Sequence, residues 1–208
     1  MVEMLDKARV QAAVAAAEKQ TSAEIVIAVT DVSDSYAVYP ALWAAVTAVL
    51  AIGVEALLWP ESHVRFAFAA GGGLGFVVWL LLSLTPLGLA LVPAAAKTRA
   101  ARGLAHLEFA ERVAGRTARA NGVLIFIAVK ERHVEIVPDA GFAAKVGDGA
   151  WDTVVAGMVA ALREGGVTDG AVTGIAACAR IAAQAFPFDA SDRNEIDDAV
   201  VTLPPAKA

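Results

Sequence analysis

Two runs of this chain lack charge for about the thickness of a lipid bilayer, and no other feature narrows its fold so sharply. Between Ala41 and Leu58 the one ionisable side chain is Glu55. At the rise of an α-helix that run would extend about 27 Å, close to a hydrocarbon core. The second run, Phe66 to Leu84, carries no charge at all, and the chain stays mostly apolar through Pro86 to Val92. Tyr36 and Tyr39 precede the first run and Trp59 follows it, as the aromatic belts of two membrane interfaces require. Trp59-Pro60-Glu61-Ser62-His63 supplies a polar, proline-broken turn between the runs. A buried helix of a soluble core is the plain alternative, but such helices seldom stay apolar on every face for this length. The expectation is a two-helix transmembrane hairpin over residues 36–93, with spans at about 41–58 and 66–84 and the lipid bilayer as its first partner.

Composition agrees with a local membrane segment. Mean hydropathy of +0.60 and 58% hydrophobic residues are high for a soluble chain of 208 residues, yet charges are plentiful outside the two runs. A formal net charge of -5 offers no basic stripe for nucleic acid, so nucleic-acid binding is excluded as a function class. Cys178 is the single cysteine, so no intrachain disulfide forms; the thiol suits the buried face of a helix. Met1 to Gln20 is charged and Ala-rich and does not read as a secretory signal peptide. Two spans place both termini on one side. Lys97, Arg99 and Arg102 after the second span, against Arg65 in the turn, predict a multi-pass protein of the cell (inner) membrane with cytoplasmic termini. Gly71 and Gly75 stand four apart and would let the first helix approach the second closely. A phosphate-binding loop fails there, because no Lys-Ser/Thr pair follows the glycines. Glu55, near the end of its span, can snorkel to the headgroups.

The flanks read as one α/β domain in two pieces, a small mixed sheet flanked by helices. In residues 1–35, Met1 to Lys19 suits a helix with Met4, Leu5, Ala8, Ala12 and Ala16 on one face, and Glu24 to Thr30 is a β-branched run suited to a strand covered on both sides. In residues 94–185, Ala94 to Ala120 predicts a long helix offering Leu104, Leu107, Phe109 and Val113 to a core and closed by Asn121-Gly122. Gly122 to Val129 is a second strand, Lys130 to His133 a polar tip, and Val134 to Val137 a third strand. Gly149 to Glu164 and Asp169 to Ala185 are two further helices separated by Gly165-Gly166. The first would bury Trp151, Val154, Val155, Met158 and Leu162, the second Val172, Ile175, Cys178 and Ala182. The long connection between the first two strands permits a parallel crossover, while the tight tip dictates an antiparallel third strand. Residues 186–208 form an acidic, Pro-containing surface tail.

In order, these landmarks resemble the TPM domain family, named for thylakoid-lumen, photosystem II repair and receptor-auxiliary members, in its bacterial membrane branch with a transmembrane pair inside the domain. The likeness lies in Ala17 to Ile25 at the helix-to-strand entry, Asn121 to Phe126 at the second strand, Glu131 to Gly141 over the hairpin, Trp151, and the run Asp192 to Asp197. The resemblance implies a βαβ-type domain, calcium binding or weak acid-phosphatase activity in some relatives, and assembly or repair of membrane complexes in others. It implies no agreed function for the membrane branch.

A hard-cation site needs several convergent carboxylate and carbonyl oxygens. Asp139, Asp148 and Asp152 are the candidate metal ligands, with calcium the candidate cofactor, since Asp148 and Asp152 are four apart at a helix start and Asp139 ends the strand before them. Helix capping by Asp148 and dipole compensation by Asp152 account for the same residues without a metal. Glu18, Thr21 and Glu24 sit at the helix-to-strand junction, where Thr21 or Ser22 can hold the turn. The acidic run Asp189, Asp192, Glu195, Asp197 and Asp198 reads as a solvated tail that could fold back as extra ligands. No G-x-S-x-G elbow surrounds Ser22, Ser33, Ser35 or Ser191, no local Cys-His pair exists, and His63, His106 and His133 lack zinc-ligand spacing. No catalytic residue is assigned. A membrane-tethered interaction or assembly module, partnered by other membrane proteins, is the first expectation; a calcium-binding or weak cation-dependent phosphatase domain is the alternative. A pore is disfavoured because two spans offer Glu55 alone as a polar lining.

Overall fold

In the computed structural model the described residues are 4–147, 149–189, 194–196 and 200–204. The chain divides into two compact units, one formed by residues 1–34 with 98–206 and the other chiefly by residues 35–97.

The first unit is built on a four-stranded sheet in the order β3-β2-β1-β4. Strand β1 (Glu24–Thr30) pairs in parallel with β2 (Gly122–Ala128), from Glu24 opposite Gly122 to Thr30 opposite Ala128. Strand β3 (His133–Pro138) runs antiparallel to β2, and β4 (Val201–Thr202) adds in parallel to the other edge of β1. All seven residues of β1 and all seven of β2 are buried, because both faces of the sheet are covered. Alternation sorts their side chains. Ile25, Ile27, Val29, Val123, Ile125 and Ile127 meet α1 (Lys7–Glu18), α7 (Ala150–Glu164) and α8 (Gly166–Ala185), whereas Val26, Ala28, Leu124, Phe126 and Ala128 meet Ala101 and Ala105 of α5 (Ala94–Arg112) and Val113 beyond it. The short α6 (Ala140–Ala143) follows β3 and buries Phe142 completely.

Several boundaries differ from expectation for identifiable reasons. Helix α1 turns Val10, Val14 and Ala17 to the core, while Ala8, Ala12 and Ala16 are exposed and Met4 is 80% exposed. Alanine-rich sequence has almost no apolar phase of its own, so the two valines, with more surface to bury, set the face. Helix α5 stops at Arg112, and Asn121-Gly122 is not its cap: Gly122 opens β2. Leu107 lies outward, and Ala101, Ala105 and Glu108 occupy the covered face. Gly166, at φ +84°, gives the break between α7 and α8 a left-handed residue that glycine adopts freely. The described parts of the tail do not trail from the surface: Phe186 and Val200 are buried, Ile196 and Leu203 pack on the sheet, and β4 completes it.

The second unit holds α2 (Val38–Leu58) and α3 (Val64–Leu84), each of 21 residues, followed by α4 (Leu87–Ala90). Both long helices are long and apolar enough to cross a membrane. They pack through a stripe of small residues: Ala67, Gly71 and Gly75 are buried. A Cβ on Gly75 would stand 2.9 Å from the Ala44 carbonyl oxygen, and one on Gly71 would stand 2.9 Å from that of Ala48. Gly72 and Gly73 have open space around them, so it is Gly71 and Gly75, as their spacing predicts, that let the backbones meet.

Candidate functional site

The start of β1, the start of β2 and the end of β3 lie at one end of the sheet, because the parallel register sets Glu24 beside Gly122 and the antiparallel one sets Val123 beside Pro138. This end gathers the polar side chains that the apolar strands exclude. Asn121, 2% exposed, donates its side-chain amide to the Ser22 carbonyl, and its own N–H is accepted by Thr117 Oγ1 at 3.2 Å. Thr21 Oγ1 accepts the Ala23 N–H at 3.1 Å and donates to the Phe186 carbonyl at 2.6 Å. Ser22 Oγ donates to the Pro187 carbonyl and accepts the Asp189 N–H. Glu24, 6% exposed, accepts the Glu195 N–H on Oε1 at 3.0 Å, and Glu195 Oε2 accepts the Ala118 N–H at 3.0 Å. Thr21 therefore holds the turn as its sequence position suggests, and the polar groups of this junction are joined to the tail.

Asp139 sits across from Gly122, whose carbonyl accepts the Asp139 N–H at 2.9 Å. Its Oδ1 caps α6 by accepting the Ala140 N–H at 2.7 Å, while Oδ2 is buried with no hydrogen-bond donor. Asn121 Oδ1 is likewise buried without a donor. Gly141 packs so closely on the preceding loop that a Cβ there would lie 2.5 Å from the Ala120 carbonyl oxygen and 2.6 Å from that of Arg119. Of the other predicted ligands, Asp152 lies in the first turn of α7, where its charge offsets the positive helix end, and Asp148 lies outside the described residues. Asp192, Asp197 and Asp198 also lie outside them. Among the described residues no three His, Cys, Asp or Glu side chains form a group that could hold a metal ion.

On the α5 side of the sheet a cavity of about 520 Å³ is lined by Val26, Glu111, Arg112, Arg116, Glu195 and Val201. Arg112 pairs at 2.6 Å with Glu108, whose carboxylate is nearly buried, and Arg116 Nε donates to the Glu111 carbonyl. The cavity therefore carries balanced charge. At the far end of the sheet the Glu131 carboxylate accepts both the N–H and the hydroxyl of Ser33, and Glu135 joins Arg102 to His133. Cys178 is fully buried, and burial pushes its thiol up to about 12, which makes it inert. The sequence pattern does not single out Arg112 or Glu108, and it marks Asn121 as a helix-closing residue and a strand start but not as part of a buried polar junction. A polar residue just before a buried strand was the signal available for Asn121.

Residues 92–181 match the family model of the TPM domain. No curated protein matches the chain. Among solved structures, the chain is similar to the NMR structure of the BA42 protein from the psychrophilic bacterium Bizionia argentinensis, with 18% sequence identity, a TM-score of 0.53, and coverage of 96% of this chain and 95% of that one. That likeness concerns the fold. The matched residues supply β2, β3 and the helices α5 to α7 with most of α8, and β1, which precedes the two apolar helices in sequence, pairs directly with β2 in the same sheet. Residues 92–181 thus match the TPM domain within a small mixed sheet flanked by helices, and two long apolar helices lie in sequence between the first two strands of that sheet.

Proposed function

We propose that this chain is a membrane-tethered interaction or assembly module, held in the cell (inner) membrane by α2 and α3, with its TPM domain on the cytoplasmic side. The observation that carries the reading is the exposure of large apolar side chains along both helices, among them Val49 at 69%, Leu57 at 81%, Phe66 at 69% and Phe76 at 60%. A core helix of a soluble protein would have these covered, whereas lipid is their natural solvent. The basic residues Lys97, Arg99 and Arg102 support the orientation. Sedimenting membranes of cells expressing the full chain, after an alkaline wash, tests the anchoring: the protein should stay in the pellet until detergent is added, and recovery in the supernatant would refute it. Cross-linking in those membranes followed by mass spectrometry tests the assembly role. A reproducible membrane-protein partner is expected, and its absence overturns that part.

A second reading, calcium binding or cation-dependent phosphatase chemistry, has one observation in its favour. Asp139 Oδ2 and Asn121 Oδ1 are buried oxygens without donors at one end of the sheet, and hard cations take such ligands. In that reading Asp139 would hold the ion with Asp148 and Asp152, and calcium would supply Lewis acidity toward a phosphoryl oxygen. Titrating calcium calorimetrically into the wild type, Asp139→Asn and Asp148→Ala discriminates. Heat present in the wild type and lost in the variants supports the site, and equal heats in all three reject it.

A further inference from the structure

Near their turn, α2 and α3 leave between them a groove of about 1070 Å³, as large as the larger small-molecule sites of proteins. Its walls are apolar, including Leu50, Val54, Leu58, Phe66 and Leu74, but Glu55 and Glu61 also line it. Glu55 Oε1 accepts a long hydrogen bond from Ser62 Oγ at 3.4 Å. Among the described residues no Lys, Arg or His forms an ion pair with either carboxylate, Arg65 at the start of α3 included. A carboxylate one helical turn inside an apolar span is costly unless a cation meets it. We propose that this groove binds a phospholipid whose headgroup ends in a primary ammonium, the acyl chain lying along the apolar walls and the ammonium donating to Glu55 and Glu61.

Chemistry selects this occupant. A primary ammonium offers three N–H donors to a carboxylate, whereas a choline headgroup offers none, and an anionic headgroup is repelled. A second copy of the chain docked by twofold symmetry would set the Glu55 carboxylates of the two copies on the same small surface, where like charges repel. The inference rests on α2 and α3 lying in lipid, and its test separates the two ideas.

Native mass spectrometry of the delipidated full chain, titrated in mild detergent with phosphatidylethanolamine, phosphatidylcholine or phosphatidylglycerol of matched acyl chains, reads the preference. Phosphatidylethanolamine should bind about tenfold more tightly than phosphatidylcholine, the scale of one charge-assisted hydrogen bond gained. Glu55→Gln should reduce that preference to near unity while leaving phosphatidylcholine binding unchanged, with circular dichroism showing the helices intact. Equal binding of the two lipids, a preference unaltered in both Glu55→Gln and Glu61→Gln, or a protein partner retained in the groove in place of lipid overturns the proposal. A chain that pellets with membranes yet shows no headgroup preference defeats this inference alone. One that stays in the supernatant without detergent defeats the anchoring as well.

Discussion

Replacing Phe142 by alanine should be among the most damaging single changes to the sheet-bearing unit. Its ring is fully buried, 5.6 Å from that of Trp151 and 4.8 Å from that of Phe186, both in edge-on geometry. It thus ties α6 to α7 and to the start of the tail, while Lys145 Nζ closes over Phe186 at 3.7 Å. Truncating a buried phenylalanine costs about 3–5 kcal/mol, and each edge-on ring pair contributes about 0.5–1.5 kcal/mol beyond area burial. A loss of about 4 kcal/mol would be a large share of the roughly 5–15 kcal/mol that holds a typical domain together. Trp151 is the one tryptophan outside residues 35–97, the others being Trp43, Trp59 and Trp79. With those three changed to phenylalanine, urea unfolding in mild detergent can be followed by Trp151 emission. Phe142→Leu should lose only about 1 kcal/mol, since volume is nearly kept. A double-mutant cycle of Phe142→Ala with Phe186→Ala should return a coupling of about 1 kcal/mol. A Phe142→Ala loss under about 1.5 kcal/mol, or no coupling to Phe186, would show that these rings do not form the joint.

Three other outcomes are expected. Arg112→Met leaves the nearly buried Glu108 carboxylate uncompensated and should destabilise by about 2 kcal/mol, less than for a fully buried pair because Arg112 is partly exposed, whereas Arg112→Met with Glu108→Leu should return to within about 1 kcal/mol of the wild type in the same urea assay. Gly141→Ala drives a Cβ into the backbone carbonyls of Arg119 and Ala120 and should lower the thermal midpoint by several degrees, while the same change at the open Gly157 should raise it or leave it unchanged. Burial raises the Cys178 thiol from 9.0 to about 12, so its contribution to stability is complete below about pH 9 and is lost as pH rises toward 12, when the unfolded chain ionises first. Cys178→Ala should flatten that alkaline fall in unfolding free energy, and the native thiol should resist alkylation at pH 8 until urea is added.

What the sequence determined by itself was whatever repeats over a few residues. The two long apolar runs, broken only by Glu55, announce α2 and α3 because hydropathy accumulates along a helix regardless of partners, and the β-branched runs announce β1 and β2 because strands covered on both faces need apolar residues at every position. The parallel and antiparallel pairings followed from the lengths of the connections. Tertiary structure alone decided the phase of α1, where alanine carries no preference and Val10 and Val14 found the core. It alone placed Glu108 in a covered position beside Arg112, and it alone brought Asn121 to Ser22 across 99 residues and Glu195 to Glu24 across 171. It also drew Val201 and Thr202 onto the edge of β1, two residues too few to show a pattern. Such groups are fixed by which backbone donors and acceptors remain unpaired once the sheet has formed, and that is a property of the assembled fold.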